Sequence, residues 1–436
     1  MKTISLQTTI CRSFLSILGI LLLTLSTPVS AFQTTETSFN QFEGEVVDAE
    51  NNNPLVFATI TVEGTNISTI TNTEGTFLLK VPASMNDGTV LFSFIGYTTE
   101  RIALSDLESK KNKIKLKTSA LQLSEVDINA PKDAKALFRE TLSKKGVNYF
   151  EDPTLMTAFY RETIKKRRKN VSLSEAVVNI YKTPYSSEKR DAVELYKARK
   201  STDYSKLDTV ALKLQGGPFN TLYVDIMKYP EYIFTNKSID DYEFTFDRST
   251  RVNDRLIYVI NFNQLSSIQE PLYEGKLYID AEDKTLTSAV YNLNITNREL
   301  AARLFVRKKP AKVDVWPTEV AYRVDYRSKN GKWYYGYSNV LLEFKVDWQD
   351  KLFNSVYSMT AEMAVTDWEK NDTGKLPKYK ERLKKSIILS DEALGFSDPD
   401  FWGEYNIIEP EKSIESAIKK IQRQLRRAKK NGTSEP

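Results

Sequence analysis

The chain has 436 residues, no histidine and a single cysteine, Cys11. It carries 62 basic and 57 acidic residues, a formal net charge of +5. The absence of histidine excludes a histidine-ligated zinc site and the commonest general base. The near balance of charge gives no reason to expect a nucleic-acid partner, and a chain of this length can fold as two or three domains.

The first 31 residues have the features of a secretion signal. Lys2 and Arg12 make a basic start, Phe14–Leu25 is an apolar stretch, and Val29-Ser30-Ala31 supplies the small residues that signal peptidase reads. The apolar stretch is too short to span a bilayer comfortably, although a retained N-terminal anchor is the alternative. We therefore expect a signal peptide over residues 1–31.

Export places the mature chain in the cell envelope. We expect it to start at Phe32, with a short leader over residues 32–41, and to lie in the periplasm or at the periplasmic face of the outer membrane. Removal of the signal leaves no cysteine. Disulfides and a thiol nucleophile are therefore excluded from the mature protein.

Residues 42–118 predict an antiparallel β-sandwich. Short alternating apolar runs are separated by turns that contain Gly, Asn or Pro, at a spacing of roughly 8–12 residues. Alternation predicts that one set of side chains faces inward. These are Val46, Ile60, Val62, Phe77 and Leu79.

Five motifs in this region carry a family resemblance. They are Gly44-Glu45-Val46-Val47-Asp48, Pro54–Ile60, Val62-Glu63-Gly64-Thr65, Thr71–Phe77 and Phe94-Ile95-Gly96-Tyr97. Together they resemble the carboxypeptidase regulatory-like domain, a transthyretin-like sandwich common in exported Bacteroidota proteins. The carboxypeptidases that give the domain its name use histidine-ligated zinc. A chain without histidine cannot have that activity, and we expect neither an enzyme nor a cofactor.

A linker over residues 119–131 follows the sandwich. Within it, Leu121–Ala130 resembles the connector that leaves this domain in outer-membrane receptors. Pro131–Lys145 then predicts a helix, because apolar residues recur at helical spacing and Gly146 follows as a stop.

Residues 132–410 predict a larger antiparallel β-meander, forming one large curved sheet with an initial helix. Sequential hairpins alternate apolar and polar residues, so one face of the sheet is expected to be buried. The paired segments are Ala158–Ile164 with Val171–Tyr181, Tyr242–Phe246 with Leu256–Phe262, Tyr273–Asp280 with Leu286–Ile295, and Thr318–Arg327 with Trp333–Trp348. The basic run at residues 165–169 is interpreted as a solvated turn, with a polyanion patch as the alternative.

A second resemblance covers the C-terminal part. Residues 157–162, 174–182 and 398–414 resemble an uncharacterised Bacteroidota family that joins the same sandwich to a β-rich domain. That resemblance implies no known activity.

The aromatic residues of the large domain suggest a binding surface. Trp333, Tyr335, Tyr337 and Trp348 lie close together in the sequence, and the pattern resembles the half-barrel of periplasmic lipoprotein carriers. On the concave side of a curved sheet they could hold an acyl chain or stack on sugars. The alternative is that they fill the core of a large sheet.

Residues 411–436 predict a basic amphipathic helix, Ser413–Lys430, followed by a tail. Its polar face carries the five cations that are candidates for contact with anionic lipid, namely Lys419, Lys420, Arg423, Arg426 and Arg427. The alternative is a helix docked on its own domain, with its cations at the favourable end of the helix dipole.

The sequence therefore predicts an exported, non-enzymatic interaction or ligand-binding module of the periplasm or outer membrane. Its partner would be an envelope protein, an apolar or glycan ligand, or an anionic membrane surface. Two alternatives stay open: an outer-membrane β-barrel-associated protein, and a histidine-free hydrolase of envelope glycans that uses paired carboxylates.

Overall fold

The computed structural model describes residues 39–119, 131–167, 169–202, 214–234, 237–252, 255–306, 309–350, 352–395 and 401–411. The predicted signal peptide, the predicted leader up to residue 38 and the connector over residues 121–130 lie outside these ranges. The predicted helix Ser413–Lys430 also lies outside them, together with Lys419, Lys420, Arg423, Arg426 and Arg427. No helix of the described part has the length and apolarity needed to cross a bilayer.

Seven strands build the N-terminal domain. They are β1 (Phe39–Asp48), β2 (Thr59–Val62), β3 (Ser68–Ile70), β4 (Thr76–Pro82), β5 (Thr89–Ser93), β6 (Glu100–Ala103) and β7 (Asn112–Leu116). One sheet has the order β4-β1-β7 and the other β3-β2-β5-β6. The predicted sandwich is confirmed, with the difference that β1 and β7 pair in parallel.

The core of the sandwich contains the side chains that alternation predicts to face inward. Val46, Ile60, Val62, Phe77 and Leu79 are all buried there. A glycine is required at one of the turns. Gly75 has a φ of +74°, and a Cβ at this position would lie 2.7 Å from Cβ of Pro54.

Five α-helices follow in the described part of the chain. They are α1 (Ala134–Ser143), α2 (Lys145–Asn148), α3 (Pro218–Leu222), α4 (Arg298–Phe305) and α5 (Leu389–Glu392). The first confirms the helix predicted after Pro131, but Gly146 is not its stop: the helix ends at Ser143, and Gly146 lies within the next helix. The first helix begins where the Asp133 side chain accepts a hydrogen bond from the backbone N–H of Ala136.

A 12-stranded sheet forms the large domain. Its strands are β8 (Thr154–Lys166), β9 (Lys169–Lys182), β10 (Ala192–Thr202), β11 (Tyr242–Phe246), β12 (Thr250–Val252), β13 (Arg255–Gln264), β14 (Tyr273–Asp280), β15 (Leu286–Leu293), β16 (Val313–Lys329), β17 (Lys332–Trp348), β18 (Ser355–Lys370) and β19 (Leu394–Gly395). Three of the four predicted hairpins are confirmed. In the fourth, Tyr242–Phe246 does pair with Leu256–Phe262, but β12 lies between them and also pairs with β13, so the connection is not a simple polar turn. Of the basic run, Lys165 and Lys166 end β8 and Lys169 begins β9. The sheet consists of two antiparallel meanders, β8–β10 and β11–β18, that are joined where β18 pairs with β8, and of the short β19, which pairs in parallel with β10.

The two faces of the sheet are covered differently. The inner face carries the largest hydrophobic core, and α3 packs against β17 and β18 on this side while α4 packs against β16. The outer face carries a smaller core in which Ile70 and Leu78 of the sandwich meet Phe159, Val177 and Tyr337 of the sheet.

Residues 401–411 lie between the sandwich and the outer face. The Asn406 side chain accepts from the backbone N–H of Lys80 at 2.7 Å and donates to its carbonyl at 2.8 Å. Thr69 Oγ1 donates to the carbonyl of Ile407 at 3.1 Å. This segment therefore binds the two domains together through backbone and side-chain hydrogen bonds.

Candidate functional site

The inner face of the sheet and the helices above it enclose a cavity of about 540 Å³. This volume lies within the range of roughly 300–1,000 Å³ that is typical of small-molecule sites. Its floor includes Tyr322, Val340, Phe344, Met359 and Ala361 of β16–β18. Its roof is made by residues 214–234, which contain α3, and by α4.

The roof follows from local sequence. Gly216 and Gly217, both with positive φ, turn the chain into α3, and Pro218 occupies its first turn. The helix then buries Phe219 and Leu222. These features fix the entry of the roof segment onto the sheet.

The second roof element begins at a side-chain cap. The Asn297 side chain accepts a hydrogen bond from the backbone N–H of Leu300 at 3.2 Å. The helix buries Ala301, whereas Leu304, which lines the cavity, is 58% exposed. An exposed leucine at the edge of an apolar cavity marks its mouth.

Three tyrosines make one wall of the cavity. The ring centroids of Tyr291 and Tyr322 lie 5.1 Å apart in a stacked arrangement, and Tyr273 packs edge-on at 5.6 Å and 5.8 Å from them. Burial raises the pKa of all three hydroxyls above the usual value of 10. They are therefore neutral at physiological pH, and the wall is aromatic with uncharged polar tips.

A buried ion cluster holds the roof to the sheet. Nζ of Lys182 lies 2.6 Å from Oδ2 of Asp225 and 2.9 Å from Oδ2 of Asp191. Tyr326 donates to Asp225 Oδ1 at 3.0 Å, and Tyr185 donates to Asp225 Oδ2 at 3.2 Å. Burial opposes the charge of Lys182, but the two carboxylates outweigh it and raise the lysine pKa above 10.5. The roof is thus fixed in place by a charge-compensated, hydrogen-bonded cluster.

The four aromatic residues singled out from the sequence do not form one surface, and none lines this cavity. Tyr335 belongs to the inner core, and Tyr337 to the outer core. Asp325 pairs with Tyr337 while Tyr326 pairs with Tyr335, so Gly336 is an extra residue in β17. This bulge sends two tyrosines that simple alternation places together to opposite faces.

The two tryptophans are also separated. Both pack at the edge of the inner core, but they lie at opposite ends of β17, and Trp333 also lines a second, smaller cavity. The cavity walls instead come from Tyr291, Tyr322 and the roof, which the sequence analysis did not single out. The sequence did contain a signal for α4. Asn297 is a favourable N-cap residue, and apolar residues follow it at helical spacing, which is typical of an amphipathic helix; they are Leu300, Ala301, Leu304 and Phe305.

The described residues contain no group of three or more acidic side chains placed to hold a metal ion. The lining of the cavity, as far as the structure describes it, includes no Asp, Glu, Ser or Cys. Among the lining residues that the structure describes, Lys309 is the one charged residue. It donates to the Val313 carbonyl and to Asp314, both at 2.6 Å. The arrangement offers shape and apolar contact, with polar groups limited to tyrosine hydroxyls and a few residues such as Gln215 and Asn220.

Comparison with known proteins identifies the N-terminal domain. Residues 42–128 match the CarboxypepD_reg-like domain family. The resemblance inferred from the five motifs is thereby confirmed. The CarboxypepD_reg-like domain accounts for the sandwich, and the match does not reach the large sheet. No curated protein is a significant match to the chain.

Several solved structures are similar at a low level. A putative outer membrane lipoprotein-sorting protein domain from Vibrio parahaemolyticus has 8% identity and a TM-score of 0.25, covering 56% of this chain and 94% of its own. A DUF1329 family protein from Desulfovibrio piger has 9% identity and a TM-score of 0.23, covering 55% and 94%. The MucA/MucB complex from Pseudomonas aeruginosa has 9% identity and a TM-score of 0.17, covering 54% and 98%. Scores this low do not establish a shared fold.

Proposed function

We propose that this chain is a non-enzymatic protein of the cell envelope that binds the acyl chain of a lipid or lipid-linked molecule. The observation that carries the proposal is the cavity of about 540 Å³ between the inner face of the sheet and the roof. The predicted secretion signal supports an envelope location. The CarboxypepD_reg-like domain serves as a scaffold that covers the outer face of the sheet and leaves the roof free.

The lining favours a hydrocarbon ligand. Apolar and aromatic side chains from Val340, Phe344, Met359 and Phe305 surround a space large enough for a ligand, and burial of each CH₂ group of a ligand contributes about 0.8 kcal/mol. A polar headgroup would lie near Gln215, Asn220 and Lys309, the polar residues of the lining.

The same lining argues against catalysis at this site. General acid–base or nucleophilic chemistry needs a positioned acid, base or nucleophile. Of the described lining residues, only tyrosines and Lys309 titrate, and Lys309 is held by Asp314. We therefore expect binding without turnover.

Two measurements test the proposal. Native mass spectrometry of protein extracted from its own membrane fraction should reveal a retained lipid. A fluorescent fatty acid should bind the purified full chain in a titration. Failure of both measurements would contradict the acyl-binding function.

A matched pair of variants locates the site. Val340 lines the cavity, whereas Val290 is 38% exposed on the neighbouring part of the sheet. Val340→Phe fills part of the space and should weaken fatty-acid binding at least tenfold, while Val290→Phe should leave it unchanged. Leu304→Lys at the exposed mouth is a second variant that does not disturb the core. Unchanged affinity in folded Val340→Phe and Leu304→Lys proteins would place the ligand elsewhere.

A further inference from the structure

Three connections meet at one end of the large sheet, which we name the sheet tip. Here β8 turns into β9, the chain enters β16, and β17 turns into β18. Two backbone hydrogen bonds join the connections. The N–H of Arg167 donates to the carbonyl of Val356 at 2.8 Å, and the N–H of Gln349 donates to the carbonyl of Lys312 at 3.1 Å. The described residues of 165–169, 309–314 and 345–356 therefore form one surface, the sheet tip.

Two consecutive large apolar side chains are exposed at the sheet tip. In the turn between β17 and β18, Leu352 is 96% exposed and Phe353 is 77% exposed. Leu352 is the most exposed large apolar residue in the described part of the chain. Single exposed apolar side chains are normal on a protein surface, but an adjacent pair on a projecting turn presents continuous apolar surface to water. A partner that buries this pair would stabilise the bound state.

Basic residues outnumber acidic residues at the sheet tip. Its described part contains seven cations, five of them exposed, namely Lys165, Lys166, Arg167, Lys169, Lys309, Lys312 and Lys345. The acids among the same residues are Asp314, Asp347 and Asp350. Glu411 adds a fourth carboxylate, because it pairs with Lys165 at 3.1 Å. Seven cations against four carboxylates give a net charge of +3, and Arg168 and Lys351, which lie outside the described residues, are not counted.

The cavity of about 540 Å³, called here the inner-face cavity, opens toward the same end of the sheet. Lys309 belongs both to the sheet tip and to the cavity lining, and Val315 lines the cavity directly after the sheet tip ends at Asp314. Phe344, which precedes Lys345 of the sheet tip, has its ring 5.7 Å from the ring of Phe305 in α4. The exposed mouth residue of that helix, Leu304, therefore lies on the side of the cavity that is nearest the sheet tip.

We propose that the sheet tip docks on an anionic phospholipid bilayer, with Leu352 and Phe353 inserted among the headgroups. Apolar side chains gain free energy when they are buried at a bilayer interface, and nearby lysines and arginines are attracted to anionic lipids. The net charge of the sheet tip complements such a membrane. The apolar pair is small for a protein interface, which typically buries about 800 Å² on each partner, whereas a bilayer accepts a projecting turn.

Docking in this orientation places the mouth of the inner-face cavity beside the membrane, where a lipid can enter it. This role of docking rests on the proposed function, whereas docking itself rests on the sheet tip alone. The two proposals are therefore tested separately. Vesicle binding needs no ligand in the cavity, and fatty-acid binding needs no vesicle.

Vesicle flotation tests the docking with the chain that starts at Phe32. Residues 1–31 are omitted because their apolar stretch would itself bind lipid, and every described residue is retained. We expect at least tenfold stronger binding to vesicles of phosphatidylglycerol and phosphatidylcholine in equal parts than to vesicles of phosphatidylcholine alone. Binding to the anionic vesicles should weaken as salt screens the charges.

Leu352→Ser combined with Phe353→Ser should reduce binding to the anionic vesicles at least tenfold. Both side chains are exposed, so the fold should be retained. Leu376→Ser combined with Tyr379→Ser is the matched control, because these residues are 43% and 83% exposed and follow the end of β18 at the opposite end of the sheet. The control should bind the vesicles like the wild type. In the absence of vesicles, Leu352→Ser with Phe353→Ser should bind fatty acid with unchanged affinity.

The charges are tested by a second pair of double variants. Arg167→Gln combined with Lys169→Gln removes two exposed cations of the sheet tip and should also weaken binding to the anionic vesicles at least tenfold. Lys378→Gln combined with Lys380→Gln removes the same charge from exposed residues at the opposite end of the sheet and should have no effect. Equal weakening by the two double variants would overturn the assignment of the contact to the sheet tip.

A fluorescent label reports insertion directly. The chain from Phe32 has no cysteine, so Asn354→Cys provides a single site beside the apolar pair for a polarity-sensitive dye. Anionic vesicles should shift the dye emission to shorter wavelength, whereas the dye on Tyr379→Cys should show no shift. Absence of vesicle binding, equal binding to neutral and anionic vesicles, unchanged binding by Leu352→Ser with Phe353→Ser, or unchanged emission at residue 354 would overturn the proposal. Absence of vesicle binding would in addition favour a protein as the partner of the sheet tip.

Discussion

The ammonium nitrogen of Lys182 lies 2.6 Å from Oδ2 of Asp225, which joins the end of strand β9 to the roof of the inner-face cavity. Both side chains are almost completely buried, and Tyr326 and Tyr185 donate to the same carboxylate. The roof is therefore positioned before any ligand arrives. A preformed site avoids the free-energy cost of ordering the roof on binding.

Removal of the Asp225 carboxylate should release the roof. Asp225→Ala leaves Lys182 with Asp191 alone and removes the acceptor of two tyrosine hydroxyls, so we expect a loss of about 3–5 kcal/mol in the free energy of unfolding. Asp225→Asn retains acceptor capacity and should lose less. Urea unfolding measures both. Asp240→Ala is the control. The Asp240 side chain is 62% exposed in its ion pairs, so its removal should lower the free energy of unfolding by at most about 1 kcal/mol. Equal losses in Asp225→Ala and Asp240→Ala would contradict the anchoring role.

Stability should fall between pH 4.5 and about 7 because of Glu162. Burial raises the pKa of this carboxyl from 4.5 to about 7, and Tyr160 donates to its Oε1 at 2.7 Å. The unfolded chain loses the proton near pH 4.5 while the folded chain keeps it, so rising pH favours unfolding until the folded carboxyl also ionises. Over this pH range the free energy of unfolding should fall by about 3 kcal/mol, because each unit of pKa difference between the folded and unfolded states corresponds to ~1.4 kcal/mol.

Glu162→Gln tests this contribution directly. The variant should be more stable than the wild type at pH 8 and about equal to it at pH 4, as measured by urea unfolding at each pH. A wild-type protein and a Glu162→Gln protein with parallel pH profiles would show that Glu162 titrates normally.

Arg161 should control the attachment of residues 401–411. Its Nε donates to Glu175 Oε1 at 2.8 Å, Nη1 to Glu362 Oε1 at 3.3 Å, and Nη2 to the carbonyl of Ile408 at 2.6 Å. Arg161→Met leaves the two buried carboxylates undercompensated, so we expect a loss of about 3–5 kcal/mol. Lysine lacks the planar fork needed for three acceptors, so Arg161→Lys should not restore the stability.

Hydrogen exchange provides the local measurement for the same variant. In Arg161→Met the backbone amides of residues 401–411 should exchange faster than in the wild type. Arg139→Met is the control, because the Arg139 side chain is 50% exposed. It should leave hydrogen exchange in this segment unchanged and should alter the free energy of unfolding by at most about 1 kcal/mol. Unchanged exchange in Arg161→Met would mean that the segment is held by its contacts with the sandwich alone.

Gly275→Ala should damage the inner-face cavity through the backbone. A Cβ at Gly275 would lie 2.5 Å from Cα of Tyr291 and would also clash with the carbonyl of Val290. Because Tyr291 lines the cavity, we expect a stability loss of about 1–3 kcal/mol and weaker fatty-acid binding. Gly146→Ala is the control, since its Cβ would meet Ser186 Cβ at 3.4 Å and alanine favours the helix. Thermal unfolding that ranks the two variants equally would contradict the clash.

The strands of this protein were predictable because their signals are local. The segments Tyr273–Asp280 and Leu286–Ile295 were predicted from alternation and a polar turn, and the strands lie at Tyr273–Asp280 and Leu286–Leu293. The turn at Asn330-Gly331 was readable because both residues adopt positive φ, which Asn and Gly tolerate.

The site was less predictable because it depends on a bulge and on long-range packing. Tyr335 and Tyr337 have the spacing of neighbours on one face. The isolated Gly336 between them is a local sign of a bulge, but a glycine in a strand can equally mark a close backbone approach. The cavity also needs α4 and residues 214–234 to fold over strands that are distant in the chain. Periodicity indicates that an element is amphipathic, but it does not indicate which surface the element covers.

The pairing of β8 with β18 has a consequence for how the chain acquires its structure. Thr154 pairs with Lys370, so the first strand of the large sheet cannot complete its pairing until one of the last strands has been made. Closing such a long loop is entropically costly and slows folding. A chain that crosses a membrane starting from its N-terminus would expose the edge of β8 until β18 has emerged. For the exported protein that the sequence predicts, we therefore expect a dependence on chaperones that shield unpaired strand edges during this interval.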